Sequence, residues 1–271
     1  MDTSPEKELL LGLLQNTHES LKWMWQIIMG AALVIAVQTS YIDVLNVLQS
    51  LTSNNTVITD RNIIVIMLLI FAYLPMYFRI FYGDNRFIDL SYMEAVLLKR
   101  KDLEENVNFS QFTGLSRFFD LWSLIFHAIL FIYLSTMLNQ PFIFIYVATF
   151  YLAFNSLWLI FIVFRNGVSI RLPDMSNYTE RMYSAVQGNI NEKPRNDALM
   201  FWIFNNVVHF FLLVIVISTF RHYGLGNDDL LIYICIGLFL SNSVIDLIFT
   251  WEFYFPNLDK FVKLSSNKRA E

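Results

Sequence analysis

The chain has 271 residues, 56% hydrophobic and 15% charged, with a mean hydropathy of +0.48, outside the balance of soluble domains. A formal net charge of -4 without a long basic run argues against a nucleic-acid partner. A single cysteine, Cys235, excludes an intrachain disulfide and a thiolate metal cluster built by one chain. The composition points to an all-α, multi-pass integral membrane protein whose first partner is the lipid bilayer.

Residues 1–20 open with Thr3, Ser4, Pro5 and Glu6, a capping residue followed by proline at the first helical position. They predict a short N-terminal helix, with Leu9, Leu10, Leu13 and Leu14 forming an apolar stripe for the membrane interface. No basic n-region or small-residue cleavage site precedes it, so the segment is expected to be retained.

A membrane domain over 21–256 follows, with spans at about 23–41, 62–82, 118–138, 142–164, 198–220 and 230–251. Each is close to the ~20 apolar residues that cross a ~30 Å hydrocarbon core. Pro75 predicts a kink in the second span, and Ala32 with Ala36 forms a small-xxx-small pair on the first. Between spans lie two long polar loops, 83–117 and 165–197, the former with a helix expected over about 90–105. Asn139-Gln140-Pro141 is too short to be anything but the turn of a helical hairpin. A tail, 257–271, ends the chain.

Apart from Arg79 within the second span, lysine and arginine fall on the N-terminus, the two long loops and the tail, with Arg61 and Arg221 the exceptions next to the short connections. The positive-inside rule therefore predicts both termini in the cytoplasm. Of the Asn-x-Ser/Thr sequons, at Asn54, Asn108 and Asn177, the last two fall on that cytoplasmic side, so the motif reads as chance.

Polar residues inside apolar helices are expensive and need partners, which makes them the candidate site. Helical spacing gathers Asp120, Ser123 and His127 on one face of the third span, Tyr151, Asn155 and Trp158 on the fourth, Trp202, Asn205, Asn206 and His209 on the fifth, and Asn242 with Asp246 on the sixth. At ~1.5 Å per residue, His127, Asn155, His209 and Asn242 lie about 15 to 18 Å deep. One layer across spans three to six is thus expected, those four spans forming a bundle with a polar cytoplasmic half and spans one and two against its side. Arg79, Asp84, Arg86, Asp89 and Glu252 would form its cytoplasmic mouth.

Scarce glycine, nine in the chain, and no clear inverted repeat argue against an alternating-access carrier. No nucleophile elbow, P-loop, zincin motif, potassium-channel filter or voltage-sensor arginine series occurs, and no metal-ligand spacing. The leading expectation is an ion- or small-solute-conducting or gating unit, as a homo-oligomer or with a membrane-complex partner. One alternative is a redox or metal enzyme, with His127 and His209 as axial ligands of a b-type haem. A structural or anchoring subunit is another.

Overall fold

The structure, a computed structural model, describes residues 5–52, 58–92, 114–165, 194–224 and 227–250. All its regular elements are helices, and six stretches are long and apolar enough to cross a membrane: Gln15–Thr52, Asp60–Asn85, Phe118–Thr136, Pro141–Phe164, Leu199–Tyr223 and Asp228–Phe249. These match the six spans read from hydropathy. The tail, Glu252 and most of the two long loops, including the helix expected from about 90, lie outside the described residues beyond Tyr92.

The first element corrects an expectation. Residues 5–52 form one helix, α1 (Pro5–Thr52), rather than a short interfacial helix followed by a separate span. No proline interrupts the chain after Pro5 and both internal glycines have open space around them, so nothing breaks the hydrogen-bond ladder.

The second span is a continuous rod of α2 (Asp60–Met67), a π-helical segment (Leu68–Tyr73) and α3 (Leu74–Tyr92). Thr59 caps α2 in a reciprocal capping box with Asn62. Asn62 Nδ2 also donates to Asp43 Oδ1 at 2.7 Å, tying α2 to α1. The predicted kink at Pro75 takes the form of the π segment: the Leu74 N–H bonds five residues back to the Leu69 carbonyl. Proline lacks an N–H and crowds the carbonyl four residues before it, and a widened turn relieves both. The helix then runs through Gly83, Asp84 and Asn85, where a loop was expected.

Next come α4 (Gly114–Thr136), α5 (Pro141–Arg165), α6 (Pro194–Tyr223) and α7 (Asp228–Phe249). The Met137–Gln140 turn makes α4 and α5 the expected hairpin. Packing closes a circuit: α1 on α4, α4 on α5, α5 on α6, α6 on α7, α7 on the second span, and the second span on α1.

Spans one and two are therefore ring members, not additions to the side of a bundle of spans three to six. The second span also reaches α4, where Tyr73 Oη lies 2.8 Å from Ser135 Oγ and the Tyr73 and Tyr77 rings pack on Phe131. Ala32 and Ala36 are fully buried on α1, in its packed inner face. Outward faces carry Trp23, Tyr41, Trp122, Tyr133 and Tyr146, all exposed. Such amphipathic rings near both ends of apolar helices suit the two interfaces of a bilayer.

Candidate functional site

Arg79, one turn past Pro75, is the centre of the site. Its position on α3, expected at an interfacial mouth, is buried between α6 and α7. Its Nε lies 2.6 Å from Asp246 Oδ2, with side-chain exposures of 4% and 0%. One terminal nitrogen donates to Asn206 Oδ1 at 2.6 Å and the other to Asn242 Oδ1. A guanidinium offers five donors in a fixed fork, and here three sides of that fork meet acceptors from two helices.

The local sequence explains the convergence. Asn242 and Asp246 are one turn apart on α7, and Asn206 and His209 share a face of α6. Asn205 Nδ2 donates to the Asn242 carbonyl at 2.9 Å, and Asn242 Nδ2 faces the Asn205 carbonyl at 3.4 Å, a reciprocal pair that stitches α6 to α7.

His209 Nδ1 lies 2.9 Å from the same Asn205 carbonyl, so that nitrogen is the donor, while Nε2 faces Ser241 Oγ at 2.9 Å. Toward the end of α7, Trp202 Nε1 donates to Thr250 Oγ1 at 3.1 Å, and Thr250 Oγ1 donates to the Asp246 carbonyl at 2.7 Å. The carboxylate that receives Arg79 is thereby held on a braced backbone.

His127 belongs to a second group. It is fully buried, with Nδ1 3.4 Å from Ser123 Oγ and its ring edge-on to Tyr151 at 5.5 Å and Phe154 at 5.0 Å. Asn155 lies beside this ring, and Asp120 is buried on the same face of α4.

The expected layer of His127, Asn155, His209 and Asn242 is thus two groups. One is aromatic and lies on α4 and α5. The other is a charged network on α3, α6 and α7. Of the expected mouth, Arg79 is drawn into the network and Asp84, partly buried, lies near enough to feel its charge. Arg86 and Asp89 fall on the helical backbone of α3 with side chains outside the described residues, as is all of Glu252.

Sequence reasoning missed two things: that Arg79 pairs with Asp246, and that Ser241 holds His209. A lone arginine four residues past a proline in an apolar run was the available signal for the first.

The histidines do not fit a shared haem. An axial imidazole must turn one nitrogen to the iron; His209 Nδ1 is bonded to the Asn205 carbonyl, the remaining Nε2 faces Ser241 Oγ, and His127 lies in the separate aromatic group. Among the described residues no three His, Cys, Asp or Glu side chains come together as a metal site would need.

What this geometry provides is a charge-based tie between three helices in the buried interior. Compared with known proteins, no family model, curated protein or solved structure matches the chain.

Proposed function

We propose that the protein is a six-span membrane protein with both termini in the cytoplasm, acting as an oligomeric gating unit for ions or small solutes. The Arg79–Asp246 network is its latch. The carrying observation is the ion pair itself, buried at 4% and 0% exposure and joining α3 to α7 with Asn206 of α6 beside it.

A buried charge pair contributes little net stability compared with a well-packed apolar pair, because desolvation offsets most of the attraction. Its distinct property is two-state behaviour: intact it holds three helices together, and broken it leaves charges that attract water. The partition of Lys and Arg among alternate connections supports the orientation.

Flux from liposomes tests the reading. Asp246→Asn keeps the shape and removes the charge, and should change flux relative to the parent protein, as should His209→Ala. Flux is compared per folded, reconstituted protein, because Asp246→Asn leaves the Arg79 guanidinium without its carboxylate and costs stability. No flux in the parent, or identical flux in all three, overturns it. Orientation is checked separately by reporter fusions at each terminus, and an external reporter signal from either one contradicts it.

A second reading, a structural or anchoring subunit, is favoured by the reciprocal Asn205–Asn242 pair and the His209–Ser241 contact, which fasten α6 to α7. It predicts loss of the protein when expressed without its partner, and no flux.

A further inference from the structure

We propose that the outer face of α1 is the seam along which a second copy of this chain docks, in parallel, as a left-handed coiled coil about an axis normal to the membrane. Ile27, Val34, Tyr41 and Leu48 recur every seven residues and each is half exposed or more. Trp23, Val37 and Leu51 are also exposed and fill the intermediate register, where Gly30 allows close approach. Apolar residues repeating at 3.5 keep one stripe facing a partner when two helices supercoil left-handedly.

Lipid alone does not account for this face. The Asp43–Asn62 hydrogen bond, with Asp60 and Arg61 beside it, marks one edge of the bilayer, and Lys22 marks the other. The 21 steps between Lys22 and Asp43 span about 32 Å at ~1.5 Å each, the thickness of a hydrocarbon core.

Yet α1 continues through Val44–Thr52 beyond that edge, and the stripe continues with it: Leu48 is half exposed and Leu51 is 75% exposed. A lipid-facing surface would turn polar there. Inside the edge the opposite mismatch occurs. Gln38 is exposed, about 8 Å deep by the same rise, and bonds to no described residue. An amide turned outward in hydrocarbon finds its partners on another helix. Apolar side chains in water and an amide in lipid, on one face of one helix, are both satisfied by a second α1. A parallel arrangement follows because both copies insert with the same topology, and such a closed pair is self-complementary.

This inference gives the proposed oligomer its surface; it rests on the bilayer placement above and not on conduction. The test is oxidative crosslinking in native membranes, in a Cys235→Ser background, of single Val34→Cys, Tyr41→Cys and Leu48→Cys variants. Leu157→Cys and Phe211→Cys, exposed on other helices, are the controls.

Disulfide-linked dimer at the three seam positions, at least about tenfold above the controls, is expected. Equal linking at the controls, monomer throughout, or a link to a different polypeptide overturns the seam. A seam that links in a protein without flux upholds this inference and overturns conduction, so the two fail separately.

Discussion

Removing Asp246 takes the carboxylate nearest the guanidinium from a group buried at the junction of three helices, where Asn206 Oδ1 and Asn242 Oδ1 are neutral acceptors. Arginine cannot shed its proton, so it cannot escape by neutralising. Removing one partner of a buried pair costs about 3–5 kcal/mol, and Asp246→Ala should fall in that range.

Arg79→Met should cost less, about 1–3 kcal/mol, because an abandoned carboxylate can take up a proton and the two asparagines can bond one another across α6 and α7. The double variant Arg79→Met/Asp246→Leu leaves no charge and an apolar contact of similar volume. It should lie within about 1 kcal/mol of the parent or above it.

The coupling between the two sites is then several kcal/mol, against about 0.5 kcal/mol for independent positions. Reversible unfolding in mixed detergent micelles, followed by tryptophan fluorescence, measures all four corners of the cycle. Additive single effects, or an Asp246→Ala cost below about 1 kcal/mol, would refute the assignment of Arg79 and Asp246 as a closed pair.

Three other variants probe how that pair is positioned. Pro75→Ala raises helix propensity and would stabilise an isolated helix; here it should destabilise, because a restored α-helical turn rotates Arg79 about 100° away from α6 and α7, seen in the same unfolding assay. Asn62→Ala removes both the capping box and the tie to Asp43, and should cost about 1–2 kcal/mol, with faster amide exchange at the start of α2. His209→Phe forfeits bonds to Ser241 and Asn205 and should cost about 1 kcal/mol, while leaving the Arg79–Asp246 coupling unchanged within error of the cycle.

Six spans were legible because hydropathy reports what a bilayer tolerates, and the apolar runs are separated by charge. Hydropathy does not report where a helix stops, which is why the amphipathic residues before Trp23 turn out to be continuous with the first span. The faces of the fifth and sixth spans were legible too: Asn205, Asn206, His209, Asn242 and Asp246 each lie on straight α-helix, where spacing translates directly into direction.

Arg79 lies downstream of a π segment that holds an extra residue in its turn, so counting at 100° per residue from Ile63 or Met67 points it the wrong way. The grouping of His127 with Asn155 away from His209 was hidden for a different reason. Equal depth places residues in a plane but not around a ring, and only packing order supplies the angle.

The separation between Arg79 and its acceptors has a consequence for how the protein is made. Asn242 follows Arg79 by 163 residues, and at roughly 5–20 residues per second a ribosome needs about 8–33 s to deliver it. On the proposed membrane placement, the second span enters the bilayer during that interval without the groups that later meet its charge.

Arg79 lies six residues before Asn85, the end of the apolar stretch, about 9 Å at ~1.5 Å per residue, near enough to the surface for its side chain to extend to the headgroups and wait there. On that placement, its withdrawal from the headgroups into the bundle waits on the arrival of α7, which carries Asn242 and Asp246. A chain truncated before α7 would leave that arginine without the carboxylate and the amide that α7 supplies.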